Sequence, residues 1–155
     1  MLTHFDPAKT TLLQTDASNF ALGAVLCHVV EEDGVEVEKP VCYASKTLDR
    51  AQENYSVTEK ECLAVVWSTD FFRTMLLGHH FTLQTDHSAL RQLLTNKEAK
   101  GRLARWAIKL QEFDMEVKHR RGKDQENADF LSRMTRQEDG TYMVQWLSQE
   151  RNEKT

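Results

Sequence analysis

The chain has 155 residues, of which 40% are hydrophobic and 28% charged, and its formal net charge at pH 7 is −4. This length and composition are typical of one globular domain with a proper core. No apolar run approaches the roughly 18–20 residues of a membrane span, and the first residues do not resemble a secretion signal. The negative charge argues against binding nucleic acid by bulk charge alone.

The cysteines are Cys27, Cys42 and Cys62, an odd number without the spacing of metal ligands. Each lies in an apolar segment, which predicts reduced thiols in or near the core. The cysteine pattern therefore favours a reducing, intracellular setting.

Positive charge is concentrated in residues 97–123, where nine Lys or Arg face four Asp or Glu. A solvated helix face explains such a segment as well as a surface that contacts a phosphate backbone does. This basic segment supports nucleic-acid binding only if it lies next to an acidic catalytic site.

Hydrophobic periodicity predicts the element order β-β-β-α-β-α-α-β-α. After a connector at 1–10, we expect strands at 11–16, 20–30 and 40–48, a helix at 57–77, a strand from 81, helices at 88–94 and 102–113, a strand at 115–120 and a helix at 127–134. Three hairpin-linked strands followed by strands separated by helices indicate a mixed α/β sheet flanked by helices. Residues 135–155 are predicted to be a linker or docking tail.

A turn dipeptide and a single glycine mark the ends of two of these elements. Asp33-Gly34 predicts a tight hairpin turn with a solvated, acidic tip. Gly78 is a natural end for the long helix.

One sequence motif occurs at the end of two predicted strands. TLLQTDAS at 11–18 and FTLQTDHS at 81–88 both lead from an apolar strand through Leu-Gln-Thr to a carboxylate, Asp16 or Asp86. If the two strands are neighbours, both carboxylates lie at one edge of the sheet. Buried strands hold metal ligands rigidly.

Two further acidic positions complete a candidate site for two metal ions. Asp129 opens the last predicted helix, and the long helix carries Glu59 and Glu61 near its start. Paired Mg²⁺ ions need several carboxylates, and such a pair can activate water and stabilise the leaving oxygen in phosphodiester cleavage.

Each acid has a structural alternative. Asp86 and Asp129 are suited to helix N-termini, and Asp16 to a turn. Ser56 with Glu59 matches a capping box, but so does Thr58 with Glu61, so local chemistry leaves the helix ligand open.

The sequence resembles the ribonuclease H domain of Gypsy-type long-terminal-repeat retrotransposons over about residues 4–134. The motifs that carry the resemblance occur in the family's order: TDAS (15–18), GAVL (23–26), YASKTL (43–48), NYSVTEKECLAVVW (54–67), HHFTLQTDHSAL (79–90), RLARW (102–106) and HRRGKDQENADFLSR (119–133). HFDPAK at 4–9 is similar to the junction where the polymerase ends. The chain is thus expected to be a piece of a Pol polyprotein, with the domain itself at 11–134.

This resemblance implies a ribonuclease H-like fold, a five-stranded mixed sheet flanked by helices. It implies an endonuclease that cleaves the RNA strand of RNA–DNA hybrids with two Mg²⁺ or Mn²⁺ ions. The family's metal-binding and catalytic acids match Asp16, Glu61, Asp86 and Asp129, with Glu59 as the fallback for Glu61.

The resemblance also implies secondary roles, partners and a location. His119 matches the spacing of a mobile retroviral histidine that assists product release or proton transfer, although a solvent-exposed strand end explains it equally. Residues expected to contact the substrate are Ser18, Lys100, Arg102, Arg105, Arg120 and Arg121. The implied partners are the hybrid, an upstream reverse transcriptase and downstream Pol domains; no membrane is expected, and a homodimer is left open. The implied location is the cytoplasm, in retroelement particles.

Two other functions compete with an active nuclease. A catalytically silent ribonuclease H-like scaffold is disfavoured because all four acids are present. An integrase-like nuclease of the same fold is disfavoured by the hairpin-rich start and by the YASKTL and ADFLSR motifs.

Overall fold

The computed structural model describes residues 2–85, 101–119 and 142–145, the last four and His119 by their backbone only. Its strands are β1 (Thr10–Ala17), β2 (Ala21–Glu32), β3 (Val35–Thr47), β4 (Phe81–Thr85), β5 (Met115–His119) and β6 (Tyr142–Gln145). Its helices are α1 (Arg50–Glu53), α2 (Val57–Phe71), α3 (Arg73–Leu76) and α4 (Arg102–Leu110).

The described strands form one mixed sheet in the order β5-β4-β1-β2-β3-β6. β1, β2 and β3 pair antiparallel as successive hairpins, whereas β4 is parallel to β1 and β5 is parallel to β4. The predicted mixed sheet with flanking helices is confirmed. β6 adds a short antiparallel strand outside β3, from within the segment predicted to be a linker or tail.

The β2–β3 hairpin is longer than its hydrophobic pattern indicates. Asp33 and Gly34 both have positive φ, 53° and 77°, so the pairing continues up to Glu32 and Val35. A two-residue turn of this kind matches the twist of the strands, which explains why β3 begins five residues before the predicted start at 40. The turn prediction is confirmed.

The long helix begins where its capping signal predicts but ends early. Ser56 caps α2, and Phe72, fully buried with φ −93° and ψ 17°, interrupts the helix before the short α3. Burying the Phe72 ring in the core takes precedence over helix continuity. The chain then turns at Gly78, which has a φ of 81°.

The main core lies between the sheet and α2. Residues 60–69 of α2 are all buried, and the core includes Leu13, Leu22, Phe81 and Leu83 of the sheet. Cys27, Cys42 and Cys62 are buried thiols that form no disulfide bond, as predicted. None of the helices in the described ranges is long and apolar enough to cross a membrane.

The predicted helices at 88–94 and 127–134 lie outside the described residues. α4 ends at Leu110, three residues before the predicted end at 113. α1 was not predicted, although Asp49 and Gln52 form a capping box at its start.

Candidate active site

The two copies of the Leu-Gln-Thr motif lie side by side in matched register. Leu13 pairs with Leu83, and Gln14 with Gln84, across the parallel β1–β4 ladder. The side-chain amide of Gln14 also donates a hydrogen bond to Gln84 Oε1 at 3.3 Å. The prediction that these strands are neighbours is confirmed.

Asp16 lies near the end of β1 and is only 3% exposed. Its partner in the antiparallel ladder is Gly23 of β2, which has no side chain to crowd it. Asp86 follows Thr85, the last residue of β4, and lies outside the described residues, as does Asp129.

Glu61 projects from the buried stretch of α2, the helix that packs against β1. Glu61 is 4% exposed. Burial of a carboxylate is costly unless cations or hydrogen bonds compensate it, so two buried carboxylates on adjoining elements suit a cation site.

Glu59 has a different environment, since its side chain is 27% exposed. It completes the capping box of α2: its backbone N–H donates to Ser56 Oγ at 3.1 Å, and its Oε1 accepts from the Ser56 N–H at 3.4 Å. Its other oxygen, Oε2, accepts from Arg102 Nη1 at 2.5 Å. Both carboxylate oxygens are therefore used in holding the start of the helix.

These contacts determine the charge state of Glu59. Desolvation raises its pKa, but hydrogen bonds from Arg102 and Ser56 outweigh that effect, so the pKa lies below its ordinary value. Glu59 is therefore a carboxylate engaged with Arg102, whereas Glu61 is the more deeply buried acid.

The donor atoms at this end of α2 are suited to a hard cation. Asp16 and Glu61 offer carboxylate oxygens, the ligands that Mg²⁺ and Mn²⁺ prefer. Burial, with Glu61 and Glu59 nearby, raises the pKa of the Cys62 thiol to about 12, so this neighbouring thiol is protonated at neutral pH in the metal-free protein. The residues present fit a divalent ion, although no cluster of three His, Cys, Asp or Glu is found within the described ranges.

The residues predicted to contact the substrate differ in their exposure and in their contacts within the protein. Arg105 is exposed on α4, while Arg102 is held by Glu59 and by the rings of Tyr55 and Trp106. The Ser18 hydroxyl accepts from the Ala21 N–H at 3.1 Å and thereby closes the β1–β2 turn. Lys100, Arg120 and Arg121 lie outside the described residues.

The backbone of His119 ends β5 and pairs with Thr85, the last residue of β4. The end of β5 therefore lies beside the strand that leads to Asp86. The role of His119 in product release or proton transfer stays a prediction.

Sequence reasoning missed Tyr55 and Trp106 and assigned Arg102 to the substrate alone. The Arg102–Glu59 pair joins residues 43 positions apart, and no local pattern indicates such a contact. The Ser56–Glu59 capping box was the one available signal that Glu59 had a structural role.

Comparison with known proteins assigns the chain to a family. The model of the RNase H-like domain found in reverse transcriptase matches residues 6–113. The Pol polyprotein of transposon 297 from Drosophila melanogaster is 43% identical over 129 residues, which are 83% of this chain and 11% of that protein. The Tf2-3 polyprotein of Schizosaccharomyces pombe is 41% identical over 138 residues, 86% of this chain and 10% of that protein. The chain thus spans about a tenth of the length of these relatives.

Solved structures share the fold at low sequence identity. The foamy viral protease-reverse transcriptase in complex with RNA/DNA hybrid matches with a TM-score of 0.59 and 14% identity, over 78% of this chain and 16% of that chain. LC11-RNase H1, isolated from compost, matches with a TM-score of 0.52 and 14% identity, over 79% of this chain and 92% of that chain. The chain belongs to the RNase H-like domains of reverse transcriptases, and its relatives are transposon Pol polyproteins.

Proposed function

We propose that this chain is a metal-dependent endonuclease that hydrolyses the RNA strand of RNA–DNA hybrids during reverse transcription. The observation that carries the proposal is the matched register of the two Leu-Gln-Thr strands, one of which contains the buried Asp16 while the other ends immediately before Asp86. Family membership supports the same reaction class.

The proposed ligands are Asp16, Glu61, Asp86 and Asp129. When bound, two Mg²⁺ or Mn²⁺ ions supply an activated water and stabilisation of the leaving oxygen. Asp16 contributes a carboxylate fixed by its place in β1. Glu61 contributes one fixed by the packing of α2 on that strand.

The rest of the proposed site concerns the substrate. Arg105 and Lys109 lie one helical turn apart and are both exposed, so α4 offers two cations to a phosphate backbone. Because the net charge is −4, such local cations have to attract the hybrid against the overall charge.

We propose that the reaction takes place in the cytoplasm, within retroelement particles. The upstream polymerase and downstream Pol domains of such an element are proposed partners, because the relatives that match are Pol polyproteins roughly ten times longer than this chain.

Cleavage of an end-labelled RNA–DNA hybrid tests the activity. The intact chain is compared with Asp86→Asn in Mg²⁺ and, separately, in Mn²⁺, with circular dichroism as a check on folding. We expect cleavage of the RNA strand by the intact chain and a loss on the order of 10²–10³-fold in the variant.

A matched control is Asp114→Asn, the same chemical change at an exposed carboxylate that pairs with His80. This variant should cut at the unsubstituted rate. The assay is repeated with the upstream polymerase domain restored. If the intact chain still cuts no faster than Asp86→Asn in either metal, the nuclease proposal fails and the catalytically silent scaffold is the better hypothesis.

A further inference from the structure

We infer that Arg102 is a positioning residue: it grips the start of α2 and thereby holds Glu61 in place for metal binding. The inference rests on the proposed function, because it assigns Glu61 to a metal site. It gives Arg102 a task within the protein instead of a contact with the substrate.

Arg102 touches α2 on both sides of the helix start. Its Nη1 is 2.5 Å from Oε2 of Glu59 in the first turn, and its Cζ lies 3.8 Å from the ring centroid of Tyr55, immediately before the N-cap. The planar guanidinium can pair with a carboxylate and stack on an aromatic ring at the same time. One side chain therefore fixes both the last residue before the cap and the third residue of the helix.

Trp106, one turn further along α4, adds to these contacts between α4 and the start of α2. Its ring centroid is 6.1 Å from that of Tyr55 and 5.9 Å from Arg102 Cζ. Gly101, at the N-cap of α4, supplies no side-chain cap. The contacts with α2 therefore tie down the start of α4 as well.

The grip reaches the proposed metal ligand through the helix itself. Glu61 is two residues beyond Glu59, about 200° around the helix, so the two carboxylates face nearly opposite sides. Glu59 faces α4 and Glu61 is buried. Glu61 directly follows the first turn of α2, so a rotation of that turn would shift the Glu61 carboxylate, and metal ligands tolerate little displacement.

The opposite end of α4 provides a matched control. Arg73 pairs with Glu112 at 2.5 Å, and its Cζ lies 5.7 Å from the Phe113 ring centroid. This is the same pairing of an ion pair with a ring contact, but it lies after the C-terminal ends of α2 and α4, at the far end of α2 from its first turn. Arg73→Met removes similar interactions without loosening the helix that carries Glu61.

The test measures binding of Mn²⁺ and Mg²⁺ to the full chain by isothermal titration calorimetry, without nucleic acid. The variants are Arg102→Met, Arg102→Lys, Glu59→Gln and Arg73→Met, each checked by thermal unfolding in metal-free buffer. Glu59→Gln keeps the capping box, because glutamine serves that role too, and loses only the ion pair. It keeps the test usable if the arginine variants fail to fold.

We expect the metal dissociation constant to rise about tenfold in Arg102→Met, the lower end of the effect of removing a supporting residue. Arg102→Lys and Glu59→Gln should shift in the same direction, and combining Arg102→Met with Glu59→Gln should add little, because both break one contact. Arg73→Met should bind metal as the unsubstituted chain does.

Three results would overturn the inference. Unchanged metal affinity in Arg102→Met, with only a raised KM for the hybrid, would make Arg102 a substrate contact. Equal weakening in Arg73→Met would reduce the effect to general destabilisation. If the unsubstituted chain binds no metal, both the proposed function and this inference fail. If it binds metal but Arg102→Met binds metal equally well, only the inference fails.

Discussion

Gln14 and Gln84 join the two copies of the repeated strand motif through a side-chain hydrogen bond of 3.3 Å. The same amide nitrogen of Gln14 lies 2.9 Å from Oε2 of Glu38, and the Gln14 side chain is almost fully buried. The polar residue within each motif is thus part of a network between the strands that carry the candidate site.

Replacing Gln14 by Leu should destabilise the protein by about 1–3 kcal/mol, because two part-buried hydrogen bonds, to Glu38 and to Gln84, are lost. Chemical denaturation measures this loss. Gln111→Leu is the control, since the same change at an exposed position should cost no more than about 0.5 kcal/mol. Equal stabilities of the two variants would rule out the network as a source of stability.

The two glutamates of α2 should separate cleanly in activity. Glu61→Gln should lower metal-dependent cleavage of an RNA–DNA hybrid by on the order of 10²–10³-fold. Glu59→Gln should leave measurable cleavage that recovers at higher metal concentration. A larger loss in Glu59→Gln than in Glu61→Gln would exchange their roles.

The hairpin turn offers a test of backbone strain alone. Gly34 has a φ of 77°, and an added Cβ would meet no atom within 4 Å, so Gly34→Ala should cost about 1–2 kcal/mol through conformation only. Asp33→Asn should be nearly neutral, since asparagine tolerates positive φ. Thermal unfolding compares the two, and an Ala variant as stable as the Asn variant would mean that the turn had changed type.

His28 attaches the N-terminal segment to the sheet. The Asp6 N–H donates to His28 Nε2 at 2.9 Å, so the ring proton is on Nδ1, which donates to the Thr10 carbonyl at 3.2 Å; Phe5 stacks on the ring. His28→Phe keeps the stacking and removes both hydrogen bonds, so hydrogen exchange at the Asp6 amide should accelerate. His4→Phe, at an exposed position in the same segment, should leave that exchange unchanged. Equal protection of the Asp6 amide in both variants would contradict this attachment.

Burial raises the pKa of Cys42 to about 11 from an ordinary value of 9.0. Above pH 9 the unfolded chain therefore loses this proton while the folded chain keeps it, and stability falls as the pH rises. The decrease in melting temperature between pH 8 and pH 10.5 should be smaller in Cys42→Ala than in the unsubstituted chain. Identical decreases would show that the thiol ionises equally in both states.

The sequence by itself determined strands β1 to β5, the start of α2 and the tight turn between β2 and β3. Each depends on short-range chemistry: alternation of apolar residues, the Ser56–Glu59 capping box, and the demand of Asp33-Gly34 for positive φ. Asp16 could be named as a candidate ligand because it ends such a strand. Its burial was implied by the apolar residues before it.

Only the tertiary structure decided where those elements stop and how the two glutamates differ. Burial of Phe72 interrupts the long helix, and pairing across the hairpin extends β3 beyond its apolar part. The Arg102–Glu59 pair joins residues 43 positions apart, so local patterns left Glu59 and Glu61 equivalent. The packing of α4 beside α2 separates them, because it engages one carboxylate in an ion pair while the other is buried in the domain.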